Sequence, residues 1–273
     1  MDNRPIGIFD SGLGGLTVLS TAMNMIPEEN MIYFGDSGRA PYGTKSEEVI
    51  IKYTFQDINF LLSNNVKLIV IGCNTASACS LDMVLKNIKT PVIDVVEPGA
   101  AAAARLTRNG RIGVIGTSAT ISSKVYETAV KNINPNAQIY AKACSMLVPL
   151  VEEGWWNNDI AERICNEYLG ELKDKDIDTL ILGCTHYPLL KDTIAKVMGP
   201  GVTLVNSAVE VSKVIKSTLE RLDLCYSGTN DEQNNKSKYE FYTSDSIDKF
   251  KSLGSIFLKR DIQNAKKADI EKY

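Results

Sequence analysis

Short runs of apolar, often β-branched residues alternate along the chain with longer stretches whose apolar residues fall on one side. The short runs predict strands at Ile6–Asp10, Met31–Gly35, Leu68–Gly72, Val92–Val95, Ile112–Gly116, Ile139–Ala141, Leu180–Gly183, Thr203–Asn206 and Glu240–Thr243. The longer stretches predict helices, for example over Ser46–Leu62, whose Ser-Glu-Glu start suits an N-cap, and over Ile160–Leu172. Strands alternating with helices are typical of βαβ units, so we expect an α/β fold with mostly parallel sheets.

Two segments of the chain align without a gap. Leu68–Thr75 (LIVIGCNT) and Thr179–His186 (TLILGCTH) are each an apolar strand followed by Gly-Cys and two polar residues. Two further pairs of segments resemble each other and are separated by nearly the same number of residues as the first pair. They are IGIF from Ile6 with IGVI from Ile112, and PVID from Pro91 with TLVN from Thr203. An internal repeat of this kind predicts two similar, doubly wound lobes related by a pseudo-twofold axis, with the active site in the cleft between them.

The same symmetry predicts where the lobes divide. The first lobe is expected to be discontinuous, residues 1–97 plus 208–273, around a second lobe of residues 98–207. The polar stretch Ser227–Lys238 is expected to be a solvated loop before the last strand, with no function of its own.

Composition excludes several classes of partner. The 273 residues carry a net charge of only −3, which gives no electrostatic reason to expect nucleic acid or an anionic membrane. We find no secretory signal and no apolar run near the ~20 residues that a membrane span needs. The six cysteines contain no CxxC pair, which predicts free thiols and a cytoplasmic location rather than a disulfide scaffold.

Four polar clusters follow predicted strands. They are Asp10-Ser11-Gly12, Asp36-Ser37-Gly38, Cys73-Asn74-Thr75 and Cys184-Thr185-His186. Any one of them is explained equally well by a turn, since these residue types are common in turns. Ligands of open α/β sheets, however, bind beyond the carboxyl ends of the strands. Four such clusters across two lobes therefore predict one shared ligand site.

The two Gly-Cys corners give the sharpest chemical hypothesis. A cysteine is more often a small buried apolar residue than a reactive group, and we keep that interpretation for Cys79, Cys144, Cys165 and Cys225. Cys73 and Cys184 differ because each follows a glycine at a strand end, where the next helix is expected to lower the thiol pKa. Inverting a stereocentre by proton transfer needs a base on one face and an acid on the other. Two thiols on matching lobes supply that pair.

Other ionisable residues are candidates to assist the thiols. His186, the single histidine of the chain, suits a proton acceptor beside Cys184, and Asp10 suits the same task beside Cys73. Glu152 is a weaker candidate because the glutamate after it fits a surface turn equally well. A zinc site built from Cys184, His186 and Cys73 is a minor alternative, because CxxC and HxxxH spacings are missing. We predict no metal ligands.

A glycine-rich run, Gly12–Gly15, follows the first predicted strand. It does not complete the G-x-G-x-x-G pattern, because Thr17 occupies the place of the third glycine, and no Walker A sequence occurs. Backbone N–H groups and the Ser11 hydroxyl remain, and these suit a carboxylate. No cluster of arginines accompanies them, so carboxylates would be held mainly by neutral donors. Similar donors are predicted at Tyr42-Gly43, Asn74-Thr75 and Thr185.

At these residues the sequence resembles the glutamate racemase family, within the broader aspartate/glutamate racemase group. The matching stretches are Gly7–Val18, Tyr33–Gly43, Gly72–Ser77, Val148–Gly154 and Gly183–Leu190. The similarity runs from the N-terminus to about residue 222, and the tail beyond it contributes nothing. Ser145 departs from the pattern, since many relatives have proline there, which affects only the expected local backbone shape.

The resemblance implies interconversion of L- and D-glutamate without pyridoxal phosphate or another cofactor, with D-glutamate feeding peptidoglycan synthesis. It implies that Cys73 removes the α-proton of the D-enantiomer and Cys184 that of the L-enantiomer. Asp10 and His186 would assist the two thiols, with Glu152 near His186 and Asp36 in the surroundings. The implied substrate contacts are Asp10, Ser11, Tyr42, Gly43, Asn74, Thr75, Thr117, Thr185 and His186.

Three alternatives stay open at this point. A related racemase or decarboxylase acting on aspartate or a hydantoin would share the fold and the thiols. A binding or regulatory protein could keep the fold and contact a partner such as a topoisomerase, although the charge pattern gives no support for this. A zinc hydrolase ranks last. A homodimer formed through exposed apolar helix surface is possible, but no interface can be assigned from the sequence.

Overall fold

The computed structural model describes residues 2–228 and 239–273 and places ten strands in two sheets within them. The strands are β1 Ile6–Asp10, β2 Met31–Gly35, β3 Leu68–Ile71, β4 Val92–Asp94, β5 Arg111–Gly116, β6 Gln138–Ala143, β7 Thr179–Gly183, β8 Thr203–Asn206, β9 Tyr239–Thr243 and β10 Ala265–Lys267. Residues 229–238, most of the expected polar loop, lie outside the described part of the chain.

Helices occupy most of the connections between strands. They are α1 Leu16–Met25, α2 Glu47–Ser63, α3 Asn74–Asn87, α4 Val96–Leu106, α5 Ser118–Ser122, α6 Val125–Ile133, α7 Leu147–Glu152, α8 Asp159–Lys173, α9 Lys191–Met198, α10 Ser207–Arg221 and α11 Ile247–Leu258. Short 3₁₀ turns add Tyr42–Thr44, Tyr187–Leu190 and Ile270–Lys272. The α/β class is therefore confirmed.

The two sheets repeat one topology. The larger sheet has the order β10-β9-β2-β1-β3-β4 and the smaller one β6-β5-β7-β8, and every strand pair is parallel. The order β2-β1-β3-β4 thus matches β6-β5-β7-β8 strand for strand. The internal repeat is confirmed by this match, and β3 and β7, which precede the two Gly-Cys corners, occupy equivalent places. The predicted domain division, 1–97 plus 208–273 around 98–207, stays a prediction.

Both faces of the larger sheet are covered. Ile8 and Val70 belong to an apolar cluster on one face that also contains α1, α10 and α11 residues. Phe9, Ile69 and Ile71 belong to a second cluster with residues of α2 and α3. Burial on two faces explains why the central strands read as continuous apolar runs instead of alternating ones. It also fixes the carboxyl ends of the strands as the accessible edge.

Glycine in the repeated Ile-Gly pattern has a packing role. A Cβ at Gly7 would lie 2.9 Å from a methyl of Val66, and a Cβ at Gly113 would lie 2.5 Å from a methyl of Ile177. At both equivalent positions, the segment that packs on the glycine is the one that leads into the neighbouring strand of the sheet, β3 beside β1 and β7 beside β5. The first strand of each lobe therefore needs a residue without a side chain.

Element boundaries agree with the predictions to within one or two residues, with two differences. Strand β10 was not predicted, because Ala-Lys-Lys at a partly exposed sheet edge has no apolar pattern. Ser46 does precede α2, but its side chain makes no capping hydrogen bond there. The acidic residues Glu47 and Glu48 in the first turn of that helix still complement the helix dipole.

A buried ion pair joins distant parts of the chain. Lys67 Nζ lies 2.6 Å from Glu29 Oε2, with both side chains almost inaccessible to solvent. The same ammonium donates to the carbonyl oxygens of Asp2 at 2.6 Å and Leu224 at 2.7 Å. The pair therefore links the segments that precede β1, β2 and β3 with the segment after α10, at the amino edge of the larger sheet.

We expect Lys67→Met to lower the free energy of unfolding by about 3–5 kcal/mol, because it leaves the Glu29 charge buried without its partner. Urea unfolding measures this loss. The double variant Lys67→Met/Glu29→Gln should regain much of it. Lys131→Met, which removes an exposed pair with Glu127 on α6, is the matched control and should change stability by less than about 1 kcal/mol. Equal effects of the two single variants would contradict the prediction.

Candidate active site

The carboxyl ends of β1, β3, β5 and β7 meet around one small cavity. Both Cys73 and Cys184 line it, one from each sheet. The complete lining is Asp10, Ser11, Gly12, Ala40, Pro41, Tyr42, Gly43, Cys73, Asn74, Thr75, Thr117, Val148, Glu152, Cys184, Thr185 and His186. The lining contains every residue that was predicted to be catalytic or to contact substrate. The two equivalent sulfurs share it.

Cys73 is held by polar contacts at the start of a helix. It is the N-cap of α3, and its Sγ accepts a hydrogen bond from Ala76 N at 3.5 Å and donates to Ser11 Oγ at 3.7 Å. Burial nevertheless raises the pKa of the Cys73 thiol far above its ordinary value, and the charge of Asp10 raises it further. The expectation of a lowered pKa is therefore wrong for Cys73, because desolvation outweighs the helix N–H groups. In this state the group is a thiol that can donate a proton.

Asp10 is buried next to Cys73. Its Oδ2 accepts a hydrogen bond from Gly12 N at 3.1 Å, while Oδ1 is buried and has no hydrogen-bond partner among the described residues. Burial raises the pKa of this carboxyl, against the lowering effects of His186 and nearby backbone N–H groups. An unsatisfied carboxylate oxygen inside a cavity can accept a proton or a hydrogen bond from a bound cationic group.

Cys184 is not followed by a helix, contrary to the sequence prediction. Pro188 lacks the N–H that would bond to the Cys184 carbonyl in an α-helix. The chain instead forms a 3₁₀ turn, with Tyr187 N donating to Cys184 O at 3.1 Å and Leu189 N to His186 O at 3.1 Å. Helix α9 begins only at Lys191. A helix N-terminus therefore does not act on this sulfur.

His186 takes the place of that helix as the polar partner of Cys184. Its Nδ1 lies 3.9 Å from Cys184 Sγ, and its Nε2 lies 3.1 Å from Glu152 Oε1. Burial lowers the pKa of His186, but the contacts with Cys184 and Glu152 outweigh burial and raise it to about 10. The same contact lowers the pKa of Glu152. At neutral pH the imidazole is therefore protonated and acts first as a donor rather than as the predicted acceptor.

The His186 ring is fixed from two sides. Phe257 of α11 contacts it edge-on, with ring centroids 5.3 Å apart. On the other side, Gly14 lies so close that a Cβ there would be 2.2 Å from Thr185 Oγ1 and 2.6 Å from His186 Nδ1. The glycine run after β1 is therefore needed for close approach between the two halves of the site, not for a nucleotide.

We expect Gly14→Ala to reduce activity by at least about tenfold, because the added methyl displaces His186 and Thr185, and overpacking of this kind costs about 1–3 kcal/mol. Steady-state kinetics with both enantiomers measure the loss. Gly170→Ala in α8, where a Cβ meets no atom within 4 Å, is the matched control and should leave the kinetics unchanged. Wild-type kinetics for Gly14→Ala would contradict the inferred close approach.

Neutral donors and acceptors form part of the cavity wall. Thr75 Oγ1 lies 2.9 Å from Thr117 Oγ1, which joins residues that follow β3 and β5. Asn74 Oδ1 accepts a hydrogen bond from the Tyr126 hydroxyl at 2.6 Å, which fixes the orientation of the amide. Ser11 and Thr185 complete the set of small polar side chains at the cavity. Among the described residues, no arginine or lysine lines the cavity.

Asp36 lies in the surroundings of the cavity, as the resemblance implied, and not in its wall, as the pattern of strand ends had predicted. Tyr42 lines the cavity, but its hydroxyl donates toward Asp36 Oδ2 and also lies 2.8 Å from Asp57 Oδ2, so that group is not free for a ligand. Asp36 is fully buried and is bound by Arg39 Nε at 2.6 Å. The cluster Asp36-Ser37-Gly38 is therefore not part of the cavity wall, because its carboxylate is held behind Tyr42. Only three of the four polar clusters meet at the site.

Several lining residues carried no predicted role. Val148, Ala40 and Pro41 lie within the stretches that resemble known racemases, and their apolar side chains gave no chemical signal. Tyr126 is an isolated aromatic residue of the amphipathic helix α6, and only the tertiary structure shows its hydroxyl on Asn74. Of the remaining cysteines, Cys79, Cys144, Cys165 and Cys225 do not line the cavity.

The described residues contain neither a metal-binding cluster nor a membrane-spanning helix. Within 2–228 and 239–273, no group of three or more histidine, cysteine, aspartate or glutamate side chains is arranged to hold a metal ion. Among those residues, no helix has both the length and the apolar character required to cross a bilayer.

Known racemases are similar to this chain over most of its length. The Asp/Glu/Hydantoin racemase family matches residues 18–211. Glutamate racemase of Geobacter metallireducens is 45% identical over 255 residues, which covers 93% of each chain. Glutamate racemase 2 of Caldanaerobacter subterraneus is 44% identical over 273 residues, with both chains fully covered. The chain belongs to the glutamate racemase family.

A solved structure of the family has the same two-lobed fold. Glutamate racemase of Francisella tularensis, in complex with D-glutamate, superposes with a TM-score of 0.92 and 40% identity, with both chains fully covered. The present chain is therefore an amino-acid racemase with two parallel α/β sheets. The resemblance inferred from the quoted motifs is confirmed.

Proposed function

We propose that this protein interconverts L- and D-glutamate without a cofactor, with Cys73 and Cys184 as the two proton-transfer groups. The observation that carries the proposal is that equivalent strand ends of two repeated sheets bring both sulfurs to one small cavity. Inversion requires a base on one face of the α-carbon and an acid on the other. A pseudo-twofold arrangement of thiols meets that requirement for both directions of the reaction.

The environments of the two sulfurs define their roles. Cys184 removes the α-proton of the L-enantiomer as its thiolate, whose charge is paired with the protonated His186, and Cys73 delivers its thiol proton to the opposite face. In the reverse direction, Cys73 transfers its proton toward the neighbouring Asp10, removes the α-proton of the D-enantiomer, and Cys184 reprotonates the carbon. The proton that Cys184 delivers in this direction comes from His186, whose other ring nitrogen contacts Glu152. Each half of the reaction thus has its own thiol and its own assisting group.

Glutamate fits the polar lining of the cavity. The substrate ammonium is proposed to bind Asp10, whose Oδ1 lacks a partner among the described residues. Its two carboxylates are proposed to bind Ser11, Asn74, Thr75, Thr117, Thr185 and the Tyr42-Gly43 backbone. Two glutamate racemases that are 45% and 44% identical to this chain favour glutamate over aspartate or a hydantoin as the substrate.

Isotope exchange tests the reaction directly. In deuterium oxide, reduced protein without added cofactor should introduce deuterium at the α-carbon of both glutamate enantiomers, and circular dichroism should show loss of optical activity. Aspartate and a hydantoin serve as comparison substrates. A folded, reduced sample that exchanges neither glutamate enantiomer would contradict the proposal. Faster turnover of aspartate than of glutamate would show that aspartate is the substrate.

A supply of D-glutamate for peptidoglycan is the proposed cellular role. Expression of this chain should allow a bacterium that lacks its own D-glutamate source to grow without added D-glutamate, and the Cys73→Ser variant should not. A cytoplasmic location and a homodimer stay predictions. Size-exclusion chromatography with light scattering tests the second of these.

A further inference from the structure

A buried cluster of charged and polar residues lies directly behind the cavity wall formed by Ala40–Gly43. Tyr42, Asp36 and Asp57 are each 1% exposed or less. The Tyr42 hydroxyl contacts the carboxylates of both Asp36 and Asp57, the second at 2.8 Å. Asp57 comes from α2 and Asp36 follows β2, so Tyr42 is fixed between two elements of the same lobe.

The number of protons in this cluster is constrained by its geometry. A tyrosine hydroxyl has one proton to donate, yet it lies within hydrogen-bond distance of two carboxylate oxygens. One of the two carboxyl groups must therefore supply a second proton. Without it, two carboxylate charges would face each other across one hydroxyl in a region without solvent.

Arg39 decides which carboxyl group is ionised. Its Nε donates to Asp36 Oδ2 at 2.6 Å, whereas its Nη2 is 3.2 Å from Asp57 Oδ1. Nη1 is taken up by Gln56 Oε1 at 2.6 Å, and the guanidinium packs over the Tyr53 ring. The shorter bond marks Asp36 as the anion. Burial, together with the Asp36 charge, also raises the pKa of Asp57 well above its ordinary value.

We infer that Asp57 is a neutral carboxylic acid that donates its proton to the Tyr42 hydroxyl, which in turn donates to the Asp36 carboxylate. This directed chain fixes the segment 40–43, which forms the first-lobe wall of the cavity. Gly43 lies close enough to Thr117 that an added Cβ would be 2.6 Å from Thr117 Cβ. A shift of the segment would therefore change the distance across the cleft. Asp57 is a positioning residue, which acts on substrate only through Tyr42 and Gly43.

This inference rests on the proposed function for its kinetic readout but not for its spectroscopic one. The infrared difference spectrum between wild type and Asp57→Asn at neutral pH should show the C=O band of a protonated carboxylic acid in the wild type only. Other protonated carboxyl groups cancel in the difference. A spectrum without that band overturns the inference, whether or not the protein acts on glutamate.

Kinetics test the positioning role. Asp57→Leu, which removes both donor and acceptor, should raise KM for both enantiomers by about tenfold with a much smaller change in kcat, as expected when uniform substrate binding is lost. Asp57→Asn keeps an N–H donor for Tyr42 and should restore KM to near the wild-type value. If Asp57→Leu does not fold, Tyr42→Phe removes the hydroxyl alone and should give the same rise.

Glu271→Gln is the matched control. Glu271 is an exposed residue that contacts Arg39 at 3.4 Å from outside the buried cluster, and its loss should leave both KM and kcat unchanged. A wild-type KM in both Asp57→Leu and Tyr42→Phe overturns the positioning role. If the wild type itself does not exchange the α-proton of glutamate, the proposed function fails while the infrared result still decides the state of Asp57.

Discussion

Replacement of either Cys73 or Cys184 by serine is expected to abolish racemisation while leaving one half of the exchange reaction. An alcohol is a much weaker acid than a thiol, so serine cannot exchange the α-proton near neutral pH. The loss of one proton-transfer group should lower kcat for inversion by about 10²- to 10⁴-fold. Polarimetry or circular dichroism measures the inversion for each enantiomer.

The position of the remaining thiol predicts which enantiomer still exchanges. Cys184→Ser retains Cys73 and should still introduce deuterium into D-glutamate. Cys73→Ser retains Cys184 and should do so into L-glutamate. Mass spectrometry of the α-carbon distinguishes these outcomes. A one-base mechanism predicts instead that one serine variant loses all exchange and the other loses none.

Cys79→Ser is the matched control for both variants. Cys79 lies in α3, a short distance along the chain from Cys73, but it does not line the cavity. Its replacement should leave inversion and exchange at the wild-type rates. Near-normal turnover of either Cys73→Ser or Cys184→Ser would contradict the two-thiol mechanism.

The second large effect is expected at His186. We expect His186→Asn to lower kcat from L-glutamate by about 10²-fold or more, because Cys184 loses the imidazolium that is paired with its thiolate and supplies its proton. Exchange of D-glutamate by Cys73 should be reduced much less. Equal losses in both exchange reactions would show that His186 acts on the whole site and not on Cys184.

The pH dependence follows from the raised pKa of His186. The contacts with Cys184 and Glu152 hold this pKa at about 10, so the imidazolium is present at neutral pH and is lost as the pH rises through about 10. The stabilisation of the folded protein by these contacts is fully present below the ordinary histidine pKa of about 6.5. It is lost as the pH rises from there through about 10. The rate from L-glutamate should therefore fall on the alkaline side.

Glu152→Gln should move that alkaline fall to lower pH, because it removes one of the contacts that raise the pKa of His186. Profiles of kcat/KM against pH measure the shift. Glu153→Gln, at the exposed neighbouring position, is the matched control and should leave the profile unchanged. An unshifted profile in Glu152→Gln would show that this carboxylate does not set the protonation of His186.

The sequence predicted the fold because the signals that define it are local. A strand buried on both faces must be continuously apolar, and the two copies of the Gly-Cys corner follow strands of this kind, β3 and β7. Their alignment was sufficient to predict equivalent places in two sheets. Strand β10 was not predicted because it lies at a partly exposed edge, where burial does not constrain the sequence.

The sequence predicted which residues line the site better than it predicted the protonation states of those residues. All residues proposed to contact substrate lie around one cavity, since parallel strands must bring their carboxyl ends to the same edge. The pKa of Cys73 was predicted in the wrong direction, because the sequence shows the helix N-terminus but not the depth of burial. The turn after Cys184 was predicted as a helix, although Pro188 contained the signal against it.

Residue types and their spacing along the chain were sufficient to predict the α/β class, the internal repeat and the presence of two free thiols in one site. Three features became visible only in the folded chain: His186 is protonated beside Glu152, the Tyr42 hydroxyl contacts Asp36 and Asp57 instead of the cavity, and Tyr126 fixes Asn74. These features depend on burial and on contacts between residues far apart in the chain. Desolvation and charge pairing, which set protonation states, arise only when those contacts form.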